Sequence, residues 1–524
     1  MYILTKQSMM NPKKLVAKKG LIFWLFLLIS FSTLNAQASE PAKKPEIQST
    51  LESVTEEKTE PVLQEKIEPP APVEIDIFQS AVIIKNESYR LWVNERPWMS
   101  SNAMDGFGTG FILSGNQILT NAHVVLDAKY ITVKHFKDRK FYKANVKYIG
   151  YDCDLALLEV EDPAFANPGP SVPISQKKPI PGSEIMILGY PEGSQNLSVE
   201  RGIITGTDKL RYAFSGADMR NVIRVQTGIR HGFSGGPAIE KNELTGLAFQ
   251  ISKSDPNTAF LIPSSVILHF LQDIKDGKYD GFPSSGFSYQ QGTNKSLREF
   301  FKIPEGVSGI LINSVFPESS FYGSLKKGDF VYKIDEKNIS STGVILENSA
   351  MTIEDILENR FIGDEVNVMF YREGKDYYIK SRLKKPEVMN LYRYDSDSFF
   401  LDSGLVFQPL SRTISKMNDP AAQYHYNYFI TDKLYKFAER DVVLTHIFSD
   451  PENHTYERYK NKIVETINGY APRDLAHMQG IWNKLKKETV VLKFRGEDLP
   501  LILDSAIREQ INIRTRKRYS IENN

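Results

Sequence analysis

The stretch "RHGFSGGPAI" (Arg230–Ile239) sets one serine, Ser234, among three glycines with a proline after them. A loop uses glycines to turn. A nucleophilic serine uses them to bring backbone N–H groups close to a substrate oxygen, because glycine alone enters positive-φ, close-approach geometries freely. Partners elsewhere in the chain decide between these uses. A serine hydroxyl becomes a competent nucleophile when a base takes its proton and an acid holds that base in the right tautomer. His123, in "QILTNAHVV", ends a β-rich run and offers the base; "YDCDLALLEV" offers two carboxylates, Asp152 and Asp154. Asp154 abuts the apolar run "LALL", which carries its charge to the edge of a buried strand. That burial is costly unless a histidine about to turn cationic accepts it. Asp154 is therefore the expected acid, with Asp152 the alternative.

The order is His, Asp, Ser, with spacings of 31 and 80 residues. It matches the chymotrypsin-like double β-barrel and differs from the orders of α/β-hydrolases and subtilisins. The surrounding sequence agrees: from 75 to 276, short β-rich runs such as "GTGFILS", "YITVKHF", "EIMILGY" and "NVIRVQT" are separated by Gly, Pro, Asn and Asp. Such spacing spells an all-β barrel or sandwich. In that frame Gly232, Phe233 and Ser234 are expected to supply the N–H groups of an oxyanion hole, while Gly235 and Gly236 let the chain turn behind it. The region ends in "PSSVILHFLQDIKDG", whose Val266, Ile267, Phe270, Leu271 and Ile274 recur with helical period and predict a closing helix. Beyond it, "LKKGDFVYKIDEKNI" and "YKNKIVETINGYAPRDL" each run from a β-stretch into a polar turn, with Ile334 and Ile467 matching at a distance of 133 residues. They predict two related modules, the second less regular because "AAQYHYNYFITDKLYKF" precedes its strand.

Lys+Arg of 65 against Asp+Glu of 64 leaves a net charge of +1, so no bulk field draws nucleic acid or an acidic membrane surface. The single cysteine, Cys153, excludes an intrachain disulfide framework and a zinc site built on several cysteines; its place between two aspartates disfavours a thiolate and points to a structural role. Lys13, Lys14, Lys18 and Lys19 precede "LIFWLFLLISF", and Ala36-Gln37-Ala38 offers small residues for signal cleavage after Ala38. The chain is thus expected to be exported to a periplasm, with an uncleaved inner-membrane anchor as the alternative. Residues 39–74, rich in Pro, Glu and Lys, read as a tether that buries too little to fold alone.

The motifs "GTGFILSGNQILTNAHVV", "DCDLALL", "SVERGIITG", "GFSGGPAI" and "FLIPSSVILHFLQD" resemble the Deg/HtrA family of ATP-independent serine endopeptidases. "DGKYDGFPSSGFSYQ" leading into "NKSLREFFKI" resembles its plant-organelle and bacterial Deg branch. The resemblance implies a mainly β chain: a chymotrypsin-like domain (75–276), a first PDZ domain (283–386) and a degenerate second PDZ-like domain (395–515). It implies degradation of unfolded or misfolded exported proteins by trimer-based homo-oligomers, with no metal and no organic cofactor. Rival functions are a catalytically silent PDZ scaffold or holdase, and a dedicated processing protease. The family usually has Asn where this chain has Phe233, and "QTGIRHGFS" is about two residues shorter than its usual counterpart. His231, three residues before the nucleophile, is expected to face solvent or substrate rather than act as a base. PDZ modules capture peptide C-termini in a loop that the resemblance puts near Phe300, Phe301, Lys302 and Ile303. A substrate pocket floored by Gly228 and walled by Ala248, Phe249 and Gln250 carries no charge and implies small or medium apolar residues at the cleavage site. Arg230, swung inward, is the alternative and favours an acidic one.

Overall fold

Runs that read as continuous apolar stretches become strands buried on both faces. In β1 (Ala81–Tyr89), Val82 and Ile84 point into one core while Ala81 and Ile83 point into another, the alternation that a period of two residues dictates. The computed structural model describes residues 76–89, 103–126, 128–165, 172–212, 219–315, 319–384, 399–410, 441–485, 488–519 and 521. The expected signal segment, the tether and the aromatic-rich stretch 421–437 lie outside them.

Strand β1 joins β2 (Ala103–Ser114), β3 (Gln117–Thr120), β4 (Ala128–His135), β5 (Tyr142–Gly150) and β6 (Leu155–Val160) in a closed barrel of order β1-β2-β3-β6-β5-β4. A short helix, α1 (Ala122–Val125), leaves the end of β3. A second closed barrel, of order β10-β11-β12-β9-β8-β7, is built from β7 (Glu184–Gly189), β8 (Ser198–Arg211), β9 (Met219–Gln226), β10 (Pro237–Glu240), β11 (Glu243–Ile251) and β12 (Thr258–Pro263). The double β-barrel expected from the sequence is what forms, and closure removes exposed strand edges. Each barrel has its own interior, and a third cluster containing Ile83, Phe111, Leu119, Leu155, Leu188, Tyr190, Val222 and Leu247 fills the seam between them. The loops before β6 and β10 open onto that seam. The closing helix α2 (Ser264–Asp273) buries Val266, Ile267 and Phe270 on the predicted face.

The next module strings β13 (Phe287–Gln291), α3 (Lys295–Phe300), β14 (Ile310–Val315), β15 (Phe330–Ile334), β16 (Lys337–Asn338), β17 (Val344–Ile345), β18 (Asn348–Thr352), α4 (Ile353–Glu358), β19 (Glu365–Arg372) and β20 (Lys375–Arg382). Its sheet runs β13-β14-β15-β19-β20, which leaves β13 at an edge. Thr352 and Asp355 form a capping box that starts α4. The last module packs two three-stranded sheets, β21 (Phe400–Asp402)-β22 (Leu405–Pro409)-β23 (Val442–Ile447) and β24 (Val464–Ile467)-β25 (Val490–Phe494)-β26 (Leu501–Leu503), with α5 (Leu475–Lys484) around Phe407, Trp482 and Leu492. The helix α6 (Ser505–Tyr519) follows β26.

The repeat seen in the sequence has a structural counterpart. Ile334 and Ile467 are each the last residue of a strand and 0% exposed. Each is followed by a left-handed residue, Asp335 (φ 48°) and Asn468 (φ 46°), which begins the polar turn. Among the described residues no helix is long and apolar enough to cross a membrane.

Candidate active site

Asp154 occupies the turn that feeds β6, fully buried and in the left-handed region at φ 53°. Its carbonyl accepts Ala122 N–H and Asn121 Nδ2, both at 3.1 Å, its Oδ1 accepts His123 N–H at 2.9 Å, and its Oδ2 lies 2.6 Å from His123 Nδ1. One residue therefore grips three consecutive positions around α1, and it fixes both the ring and the backbone of His123. Burial works against a charged His123, but the charge of Asp154 and its hydrogen bond outweigh it and hold the imidazole above its ordinary range. The His123 side chain is 31% exposed.

Asp152 is spent elsewhere. It accepts Tyr279 Oη at 2.5 Å and Phe282 N–H at 3.3 Å, and it sits 3.6 Å from Arg220. Between the two aspartates, Cys153 is fully buried, 3.2 Å from Tyr279 Oη, and burial followed by the charge of Asp152 pushes its thiol far up. The structure brings Asp154, not Asp152, to His123.

Ser234 is set by the first barrel although it precedes a strand of the second. Thr109 of β2 donates its N–H to Ser234 O at 2.9 Å and its Oγ1 to Gly232 O at 2.7 Å. Gly235 lies against Thr120 and Asn121, just ahead of His123: a Cβ there would stand 2.2 Å from Thr109 O and 2.3 Å from Thr120 Oγ1. The glycine at φ 82° is thus what lets the nucleophile loop approach the base. Gly235 N–H donates to Ala248 O and Ala248 N–H to Gly236 O, which ties the loop to β11 as well.

The oxyanion hole needs one correction. Phe233 N–H donates to Arg230 O at 3.2 Å, so it closes a turn and is not a free donor. Gly232 is at φ 98°, and Glu192 N–H holds the His231 carbonyl at 2.8 Å. Because a peptide's C=O and N–H point in opposite directions, that bond turns Gly232 N–H away from Glu192. Of the three expected donors, Phe233 is the one whose N–H is committed to another acceptor. His231 and Arg230 are exposed, and the His231 backbone rather than its ring is engaged here.

The expected pocket divides. Ala248 faces the interior of the second barrel with Ile229 and Phe233, whereas Phe249, at a bulge in the β11–β12 pairing, faces the seam and packs on Tyr212 at 4.4 Å between centroids. Neighbouring strand residues point to opposite sides, so Phe249 does not wall the same pocket as Ala248. Gln250 is half-buried and Gly228 is exposed, with Glu200 Oε2 4.0 Å from where a Cβ on Gly228 would stand. In the following module Phe300 is 79% exposed at the end of α3, Phe301 stacks edge-on against it, and Lys302 is left-handed at φ 54°. Ile303 is buried with Leu311 and Phe330 on the sheet face away from α4. These four residues close the end of α3. Among the described residues no cluster of three or more His, Cys, Asp or Glu side chains is arranged to hold a metal ion.

Thr109 and Glu192 escaped the sequence reading because both act mainly through the backbone or by closing a cradle. The signal for Thr109 was its flanking by Gly108 and Gly110: a Cβ on Gly108 would meet Val124 at 2.5 Å and Ser234 O at 3.3 Å.

The family model described as a trypsin-like peptidase domain matches residues 108–247, and the one described as a PDZ domain matches 390–524. "Putative protease Do-like 13" of Arabidopsis thaliana is 30% identical over 413 residues, covering 78% of this chain and 80% of its own length. "Protease Do-like 4, mitochondrial", from the same plant, is 29% identical over 434 residues, covering 82% and 81%. The solved structure of the HtrA-type protease AlgW with a decapeptide aligns with a TM-score of 0.46 at 20% identity, covering 59% of this chain and 96% of AlgW.

Proposed function

Because this chain belongs to the Deg/HtrA family of serine endopeptidases, we propose that His123, Asp154 and Ser234 carry out its peptide hydrolysis and that unfolded or misfolded proteins outside the cytosol are its substrates. His123 Nε2 takes the proton of Ser234 Oγ as Oγ attacks the peptide carbonyl, and the carbonyl oxygen becomes an oxyanion held by Gly232 and Ser234 N–H. His123 then gives that proton to the departing amine. Water, activated by the same imidazole, attacks the acyl-enzyme and releases Ser234. Asp154 holds the ring in its tautomer and stabilises the imidazolium.

The observation that carries this reading is the double grip of Asp154 on His123, at 2.6 Å to the ring and 2.9 Å to the backbone N–H. Digestion of casein by the wild type and by Ser234→Ala tests it, and a Ser234→Ala protein that cleaves at the wild-type rate sinks it. Apolar Ile229 and Ala248 support cleavage after small or medium apolar residues in extended segments. Peptide C-termini are proposed to add as a strand along β13, beside α4, rather than at Phe300–Ile303; Phe287, Ile353, Ile356 and Leu357 share one apolar cluster at that edge. The relatives' printed names include mitochondrial and chloroplastic proteins, and the basic-then-apolar N-terminal sequence of this chain supports export, to a periplasm after cleavage near Ala38 or as an anchored protease. A trimer-based homo-oligomer is the expected assembly.

A further inference from the structure

Phe233 stands just before Ser234, where the family usually has Asn, and it offers neither a free N–H nor a polar side chain. Phe233 is 1% exposed, and its ring sits in the interior of the second barrel with Ile185, Ile187, Ile229, Ala238 and Ala248. It lies flat over Gly189, the last residue of β7: a Cβ on Gly189 would stand 2.4 Å from Phe233 Cδ1 and 2.6 Å from Cγ. The backbone on both sides of the ring is the oxyanion turn. Phe233 N–H reaches Arg230 O, Gly236 N–H reaches Phe233 O at 2.8 Å, and Gly232 is pressed so closely on Tyr190 that a Cβ would stand 2.3 Å from Tyr190 O.

We propose that Phe233 is a positioning residue for the oxyanion hole: its ring, keyed over Gly189, anchors the Arg230–Phe233 turn and so aims Gly232 N–H at the reacting oxygen. The proposal rests on the protease reading above. Its physical basis is that a rigid aromatic side chain with a fully apolar socket has one seat, so the turn inherits the position of the barrel core. The anchor contains no charge and no hydrogen bond. The hole is therefore held without an ion pair, and its integrity is independent of pH and salt over the range in which the barrel is folded. Gly189 is the other half of the device, because any larger residue lifts the ring and with it the peptide that bears the donor.

The test is a cycle of variants, each first shown by near-UV circular dichroism to be folded. Phe233→Ala is expected to lower kcat by about a hundredfold, the scale of losing one oxyanion donor, with KM changed by less than about threefold. Phe233→Leu, which refills most of the socket, is expected to recover to within about tenfold of the wild type. Gly189→Ala approaches from the opposite side and lowers kcat similarly, and adding Phe233→Leu to it restores part of the loss, a non-additivity that general destabilisation does not produce. A peptide boronate, which forms a tetrahedral adduct on Ser234, loses affinity in step with kcat, while a cleaved product peptide binds unchanged. The proposal is overturned if Phe233→Ala keeps wild-type kcat and boronate affinity, or if boronate and product peptide weaken equally. A wild-type protein that does not react with a fluorophosphonate overturns the protease reading itself, an outcome visible before any variant is made.

Discussion

Arg220 of β9 donates from Nη1 to Glu358 of α4 at 2.9 Å, across the boundary between the second barrel and the module that follows it. The guanidinium also lies over the Phe282 ring at 4.3 Å, and its other arm stands 3.6 Å from Asp152, two residues from Asp154. Both members of the pair are largely buried, at 8% and 14% side-chain exposure.

Removing one partner of a buried pair costs more than the pair contributes as a unit, because the charge left behind is compensated less well. Glu358→Ala is expected to cost about 3 kcal/mol and to expose the 277–286 linker. Limited trypsin digestion of the variant in a Ser234→Ala background reads this directly, and an unchanged digestion pattern together with an unchanged melting midpoint refutes it.

His123 ties activity and stability to pH in opposite senses. It must be neutral to act as base, and Asp154 holds it above its ordinary range, so kcat/KM is expected to rise through a value above about pH 6.5. For stability the sign reverses. The folded state binds this proton more tightly than the unfolded chain does, so the contribution is complete below about pH 6.5 and is lost as pH rises through the folded value. Asp154→Asn should move the kinetic midpoint down and lower kcat by about four orders of magnitude. A pH–rate profile of wild type and variant checks both, and a midpoint that stays put in Asp154→Asn contradicts the assignment.

His269 of α2 is stacked between Phe282 at 4.0 Å and Phe361 at 4.4 Å, with Nε2 3.0 Å from Arg360 O and a buried Nδ1. Burial, the largest influence, lowers its pKa, so the folded state binds this proton less tightly than the unfolded chain. Its contribution to stability is complete above about pH 6.5 and is lost as pH falls through the folded value. His269→Phe keeps the stack and should flatten the acid limb of melting midpoint against pH; an acid limb as steep as that of the wild type would show that other groups set it.

Gly235→Ala forces a Cβ to within 2.2 Å of Thr109 O at a left-handed backbone position. The displaced nucleophile is expected to lose at least about a hundredfold in turnover, the cost of an ångström of misplacement. Casein hydrolysis measures it, and activity within a few-fold of wild type would mean that the loop accommodates the methyl group.

The pairing of His123 with Asp154 was legible in the sequence because it depends on residue type and order, and the closing helix because Val266, Ile267 and Phe270 keep their period. What stayed hidden depends on backbone direction. Nothing in the string of letters says that Phe233 N–H folds back onto Arg230 while Glu192 N–H turns the neighbouring peptide. The split of Ala248 from Phe249 was in principle readable from strand alternation, yet only closure of the barrels defines which side of β11 is pocket and which is seam. The peptide loop near Phe300–Ile303 came from family resemblance, whereas the sheet order, which no local pattern encodes, leaves β13 at an edge.

Cys153 is the one thiol in 524 residues, and it is sealed beneath Tyr279 with its proton held far more tightly than usual. Alkylating reagents and oxidants act on accessible thiolate, so the buried Cys153 thiol is protected from both in the folded enzyme. A cysteine placed on any exposed surface position is then the sole site that a maleimide dye can modify. Distances between the barrels and the two later modules become measurable in solution without first engineering away a native residue beside Asp154.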